Sequence, residues 1–353
     1  MSDQKQAQPE PTKPEPTAPQ SKVACGLDVG TMNLVCTRSD TNQSKITRNV
    51  FLKLDNDAVN ISEMSNISYV QSDDSDDVYI IGNDAFQFAN IFAREVSRPM
   101  ESGLISPKEI DAIDVLTLMI KDLIGDVKNK EVFCSYSIPA EAIDRARSVT
   151  YHEKIFGRVL SSLGINHSPV NEAMAIVYSE CAKENYSGIA ISLGAGMANT
   201  CVAYKGIEAL TFSTARSGDW IDKNVAESLN IIQNRVTSIK EKKFDLIEGY
   251  LQEKNKKTKR ALEALTFYYN SLIDYTIKEI IKQFDEKVDI EIDEALPIIV
   301  SGGTSLPNGF IEMFSENIRK YDLPFELSEI RRASDPLTAV ANGLLVKTMS
   351  DIK

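Results

Sequence analysis

Three times along this chain an apolar run of strand length ends directly in a glycine-bearing turn, and that repetition limits the fold more than any other feature. Val23–Leu27 runs into Asp28-Val29-Gly30-Thr31-Met32-Asn33, and Gly188–Leu193 runs into Gly194-Ala195-Gly196-Met197-Ala198-Asn199. Much later, Leu296–Val300 runs into Ser301-Gly302-Gly303-Thr304-Ser305. Strand-like runs Leu34–Arg38 and Thr200–Tyr204 follow the first two turns, which reads as two hairpins. Glycine lets backbone N–H groups converge on phosphate oxygens with no side chain in the way. Taken singly, each turn is more often only a bend.

Helical periodicity separates these strands. Ile113, Leu116, Met119, Ile120 and Leu123 share one face of a helix over residues 110–124. A strand at Val132–Ser137 leads through Ile138-Pro139 into a helix expected near residues 141–163. Asn166–Pro169 breaks that pattern before a helix containing Glu172–Cys181. The stretch 219–292 reads as mostly helical, with Leu262, Leu265, Tyr269, Leu272, Thr276 and Ile280 at three- and four-residue spacing. Weaker strand signals lie at Ile67–Val70 and Val78–Ile81, around the acidic segment Ser72–Asp77. That segment lacks the glycine and closing Glu of a calcium loop and reads as a solvated turn. Alternating strands and helices over 353 residues predict an α/β protein of two domains, its sheets covered by helices.

Composition removes several functions. A net charge of −12 argues against nucleic acid or anionic lipid as partner. The local exception, Lys254, Lys256, Lys257, Lys259 and Arg260, reads as a solvated linker or helix start. Five scattered cysteines without CxxC spacing and two histidines predict buried reduced thiols of a cytoplasmic protein, with neither zinc site nor serine-type triad. Among the standard nucleotide motifs, GxxxxGK[ST] is missing, and the Gly194 turn lacks the third glycine and following helix of a dinucleotide fingerprint. Residues 1–22, rich in Pro, Gln, Thr and Glu, predict a disordered lead-in or a tether for a protein adaptor. With no apolar face in that tail and no long apolar run elsewhere, direct membrane attachment is not expected.

The order of the motifs is more specific than any one of them. After Asp28–Asn33 come Glu172-Ala173-Met174-Ala175 on a helix, then Ser192-Leu193-Gly194-Ala195-Gly196. Ser301–Ser305 follows, and then Asp335-Pro336-Leu337-Thr338 with Ala341-Asn342-Gly343. This succession resembles the phosphate 1, connect 1, phosphate 2, adenosine and connect 2 elements of the actin and heat-shock chaperone ATPase superfamily, over about residues 23–348. Within it the chain is similar to bacterial actins of the MreB and MamK kind, through Arg98-Pro99-Met100 with Gly103, through Ser238–Lys242 and through Asp335–Thr338.

The resemblance implies a two-lobed actin-like (ribonuclease H-like, duplicated) ATPase fold with nucleotide in the interlobe cleft. Behind the 1–22 tail, lobe I (subdomains IA and IB) would span 23–170. Lobe II (IIA and IIB, the latter about 219–292) would span 171–334, and 335–353 would return as a helix to lobe I. ATP and Mg²⁺ are the implied cofactors. Gly30, Thr31, Met32 and Asn33 would face Gly194, Ala195, Gly196 and Met197 across the phosphates. Adenine would lie between Gly302, Gly303 and Ser305 on one side and Lys240 and Glu241 on the other. Asp28 would be the magnesium-side carboxylate, and Glu172 the catalytic residue that positions the attacking water. Outside that context Glu172 reads as a helix-start carboxylate favoured by the macrodipole.

The second phosphate turn departs from the family pattern. Ser192 stands where an aspartate is usual, and Met197, Ala198 and Asn199 replace threonines and an acid. Losing a carboxylate removes charge that holds hydrated magnesium, so nucleotide binding with slow hydrolysis is expected. Alternatively, Asp219 or Asp222 compensates. The implied function is a cytoplasmic cytoskeletal ATPase whose partner is further copies of itself in a filament. The alternative is a non-polymerising nucleotide switch or scaffold that binds a partner in one lobe arrangement. Small-molecule kinases share this fold, but the chain carries no distinct signal for a second substrate pocket or a base.

Overall fold

The computed structural model describes residues 21–54, 67–72, 77–91, 96–127, 130–146, 148–242 and 244–352. The elements begin with β1 (Ser21–Val29), β2 (Asn33–Arg38), β3 (Gln43–Arg48), β4 (Phe51–Leu54), β5 (Tyr69–Gln71), β6 (Val78–Ile81) and α1 (Gly82–Ile91). There follow β7 (Met100–Glu101), β8 (Leu104–Ile105), α2 (Ala112–Ile124), β9 (Lys130–Ile138), α3 (Thr150–Ser162), β10 (Asn166–Asn171) and α4 (Glu172–Glu180). Next are β11 (Gly188–Leu193), β12 (Ala198–Tyr204), β13 (Ile207–Thr214), α5 (Gly218–Leu229), α6 (Gln233–Lys240) and α7 (Lys256–Lys287). The chain closes with β14 (Leu296–Ser301), a 3-10 turn at Gly303–Ser305, α8 (Phe310–Ile318), β15 (Leu327–Arg332) and α9 (Ala339–Asp351).

One topology occurs twice. The first sheet has the order β10-β9-β1-β2-β3, with β1, β2 and β3 antiparallel in succession and β1, β9 and β10 parallel. The second has the order β13-β12-β11-β14-β15, antiparallel through β11, β12 and β13 and parallel through β11, β14 and β15. Helices sit at matching points: α3 and α8 before the last strand of each sheet, α4 and α9 after it. The fold is mixed α/β and duplicated, as expected.

The strands read as their environments require. β11 and β14 are buried along their whole length, as suits central strands covered on both faces. One core joins the second sheet to α5, α7 and α8, and the expected stripe of α7, including Leu262, Leu265, Tyr269 and Leu272, lies in it. A second core joins the first sheet to α2 and α3. Helices α4 and α9 cross so closely that a Cβ on Gly343 would lie 1.7 Å from the Ala175 carbonyl oxygen. Glycine is required there by contact, not by turn geometry.

Three local expectations differ from the structure. The helix foreseen near 141–163 starts only at Thr150, because the preceding residues make a strap to the second sheet. Ile143 N donates to Ser213 O (2.9 Å) and Ser213 N to Glu141 O (3.1 Å), so those backbone groups are satisfied without a helix. Asn166–Pro169 is not a break but part of β10, an edge strand with only β9 beside it, where a proline is tolerated. Ser21 and Lys22, assigned to the tail, already pair with Lys130 and Glu131 as part of β1. Residues 1–20 and most of the acidic segment, residues 73–76, lie outside the described residues.

The basic cluster from Lys256 opens α7 behind the cap Asn255, whose side chain accepts from Lys257 N (2.9 Å) and Thr258 N (3.2 Å). All five cysteines are buried and free. No helix among the described residues is long and apolar enough to cross a membrane.

Candidate functional site

The glycine turns end β1, β11 and β14, strands that occupy equivalent or adjacent places in the two sheets, and this brings them to one cleft of about 740 Å³. Gly30 N donates to Asn33 O (3.0 Å), and a Cβ on Gly30 would lie 2.6 Å from that oxygen. Gly194 N donates to Met197 O (3.1 Å), closing the second turn in the same way. The Gly194 carbonyl accepts from Ser217 Oγ (2.6 Å), Thr304 Oγ1 (2.8 Å) and Gly218 N (3.1 Å), which ties the second and third turns together. Gly302 takes φ +89°, the left-handed region that favours glycine, and donates its N–H to Pro336 O at 2.9 Å.

Two carboxylates stand between the turns. Asp28, half-buried, accepts from Ser137 Oγ at 2.9 Å, and burial pushes its pKa up to about 6 against that hydrogen bond. Glu172 opens α4 next to the cap Asn171, whose side chain accepts from Ala173 N (3.0 Å) and Met174 N (3.1 Å). Its own carboxylate accepts from Ser192 Oγ (2.6 Å) and Asn199 Nδ2 (2.9 Å). Burial and then the charge of Asp28 push Glu172 up to about 8, with the Ser192 bond acting in the other direction. Paired carboxylates raised by burial favour a cation between or beside them. Among the described residues no group of three His, Cys, Asp or Glu could hold a metal alone. Mg²⁺ takes one or two carboxylates with waters and phosphate oxygens, and Asp28 and Glu172 are the two carboxylates beside the glycine turns that could hold it.

Of the residues singled out from sequence, Asp28, Gly30, Thr31, Met32, Asn33, Glu172, Gly194, Ala195, Lys240, Glu241, Gly302 and Gly303 line this cleft. Gly196, Met197 and Ser305 do not. A Cβ on Gly196 would lie 2.4 Å from both Gly103 N and Thr31 Oγ1, and one on Gly103 would strike the Met197 side chain, so residues 102–103 cover this part of the turn. Gly103 N donates to Thr31 Oγ1 (2.9 Å), linking the first two glycine turns through the segment between β7 and β8. Ser305 is fully buried and donates to Gly302 O at 2.8 Å, supporting the turn from behind.

The opposite end of the cleft is framed by α6 and the chain after it. Lys240 pairs with the fully buried Asp222 at 2.8 Å and donates to Gly218 O at 3.2 Å, while Thr237 Oγ1 donates to the other Asp222 oxygen at 2.7 Å. Asp219 holds Arg98 through two 2.9 Å bonds. The two aspartates considered as substitutes for a lost acid are thus both engaged, and neither lines the cleft. Glu241 pairs with Arg48 at the end of β3, across the cleft from α6. Sequence reasoning missed Arg48, Thr237, Phe244, Tyr269 and Leu306 as lining residues. Thr237 and Phe244 were findable from their closeness to Lys240 and Glu241. Arg48 was not, because β3 left no strand signal.

Two duplicated sheets with glycine turns converging on a cleft make the actin-like fold found in MamK and MreB. A double helical filament structure of MamK matches with TM-score 0.68 at 16% identity, covering 92% of this chain and 98% of that one. MreB5 of Spiroplasma citri bound to ADP matches with TM-score 0.63 at 14% identity, over 94% and 98%. The ethanolamine utilization protein EutJ from Carboxydothermus hydrogenoformans matches with TM-score 0.53 at 18% identity, over 95% and 91%. No curated protein sequence matches. The chain belongs to the Volactin family, whose model matches residues 23–348.

Proposed function

We propose that this chain binds ATP with Mg²⁺ in the cleft, assembles with further copies of itself into filaments, and hydrolyses ATP slowly. The observation that carries the reading is the convergence of three glycine turns on one cleft that also holds Asp28 and Glu172. Backbone N–H groups of Thr31, Met32 and Ala195 suit phosphate oxygens, while those of Gly30 and Gly194 close the turns, and Asp28 suits the water shell of a magnesium ion. Glu172 is the residue to position attacking water. The related folds support both halves of the reading: MamK is described as a double helical filament, and another MamK structure and MreB5 are described as bound to AMPPNP.

In this reading the lobes closing on nucleotide are 23–170 and 171–334, with 335–353 returning to the first. The protein works in the cytoplasm, and residues 1–20 are available to an adaptor. Slow turnover follows from Ser192 and Asn199, which replace acids and hold the Glu172 carboxylate. The same two bonds favour a second reading, a nucleotide-dependent switch that does not polymerise.

Sedimentation with and without MgATP, followed by negative-stain imaging, tests the proposal on the wild type and Glu172→Ala. Filaments that form with MgATP and persist longer in the variant are expected. Tight ATP binding with no filaments at any concentration would move the assignment to the switch.

A further inference from the structure

Helix α7 carries opposite charge at its two ends. Lys254, Lys256, Lys257, Lys259 and Arg260 stand at its start, all but Lys259 exposed, with Glu253 and Glu263 the acids nearest in sequence. Among the described residues no ion pair engages any of the five cations. At the far end Asp285, Glu286, Asp289, Glu291, Asp293 and Glu294 are all exposed, with Lys287 the nearest cation in sequence. The arrangement runs against the helix itself. Its first turn holds Lys256, Lys257 and Lys259 and no acid, at the positive end of the dipole, while Asp285 and Glu286 lie at the negative end. Both clusters therefore cost α7 stability unless something of opposite charge meets them. They cannot meet each other within one molecule, because 32 residues of helix hold them about 48 Å apart, several screening lengths.

Each end also exposes an aliphatic side chain. Leu251, three residues before Lys254, is 61% exposed, and Ile290, between Asp289 and Glu291, is 44% exposed. A net charge of −12 argues against nucleic acid or anionic lipid at the basic end. A second copy of the chain, set head to tail, meets both clusters with their complement. A two-fold dimer that brings either end onto its own counterpart sets like charges together instead. We propose that the basic start of α7 in one copy docks on the acidic end of α7 in the next, an unlike-face contact that repeats along a polymer. This rests on the filament reading above and names its surface. Exposed ion pairs add little singly and weaken with salt, so covering Leu251 and Ile290 supplies affinity while the charges fix direction.

The test is charge reversal read by MgATP-dependent sedimentation. Lys256→Glu, Lys257→Glu and Arg260→Glu together make both ends of α7 acidic. Asp289→Lys, Glu291→Lys and Glu294→Lys together make both ends basic. All six residues are exposed and none lines the cleft, so both variants should melt no lower than the wild type and bind ATP equally well. Each variant alone is expected to need about tenfold or more protein to pellet, and an equimolar mixture to pellet within about threefold of the wild type. Variants that pellet like the wild type overturn the contact and leave the filament reading standing. A mixture as poor as either variant alone overturns it too, since loss without rescue is not pairing. Wild type that floats with phosphatidylserine vesicles when the glutamate variant does not, with pelleting of both alike, assigns the basic end to a lipid surface instead. A wild type that pellets under no condition overturns the filament reading and this inference together.

Discussion

Ser192 Oγ donates a 2.6 Å hydrogen bond to Glu172 Oε1, so the residue standing in an acid's place holds the carboxylate that would position water. Asn199 grips the other oxygen at 2.9 Å and accepts from Ala140 N at 3.1 Å. Glu172 is thereby fastened through β12 to the strap that leaves the first sheet.

Replacing Ser192 by Asp would set a third carboxylate beside Asp28 and Glu172. Without a cation the like charges repel, and the nucleotide-free protein should lose about 1–3 kcal/mol of stability. Magnesium with ATP relieves the repulsion, so the thermal shift on adding MgATP should exceed that of the wild type. Phosphate release should rise by about tenfold or more over the wild type, the scale of effect expected where catalysis is chiefly charge neutralisation. Equal thermal shifts and unchanged turnover would show that Ser192 does not limit the reaction.

Much of this site was legible because glycine turns are local signals. A strand, a bend and the residues that follow can be read within about ten positions, and the three turns fell where the hairpins and β14 placed them. The long helix α7 was equally plain, since its apolar stripe repeats at three- and four-residue spacing from Leu262 to Ile280. What stayed hidden depends on partners distant in sequence. β10 is polar and contains Pro169, and it is a strand only because β9 offers it an edge. β15 went unread for the same reason, since it pairs with β14; β13, a hairpin neighbour of β12, was missed although its partner is local. Nothing near Lys240 announces that Asp222 neutralises it, and nothing near Ser192 announces Glu172.

Arg48 and Glu241 form an ion pair across the cleft, with the Arg48 guanidinium stacked 4.1 Å from the Phe86 ring centroid. Opening the cleft must break that pair. Arg48→Ala should speed release of bound ADP by up to about fivefold, the upper range for a partly exposed pair. A chase experiment with a fluorescent ADP analogue measures it. Release at the wild-type rate would mean that the pair does not hold the cleft shut.

His152 is buried against Phe156, 4.7 Å between ring centroids, and neither ring nitrogen has a partner among the described residues. Burial lowers its pKa from 6.5 to about 4. Below pH 6.5 the unfolded chain takes up a proton that the folded chain refuses. The contribution is therefore present above about 6.5 and is lost as pH falls through about 4, amounting to about 3 kcal/mol when complete. Urea unfolding at pH 7.5, 5.5 and 4.5 should show a shallower decline for His152→Leu than for the wild type. Parallel declines would contradict the assignment.

The central claim is that the cleft between the two sheets is where nucleotide binds. Gly303 lines it, is exposed, and would meet only the Leu337 side chain, at 3.7 Å, if given a Cβ. A large side chain there should fill the cleft without straining the fold. Calorimetric titration of MgATP into the wild type and Gly303→Phe is the most direct measurement. One saturable site in the wild type and none in the variant, with the two nucleotide-free proteins melting alike, is the predicted result. Equal binding by both proteins would contradict the account.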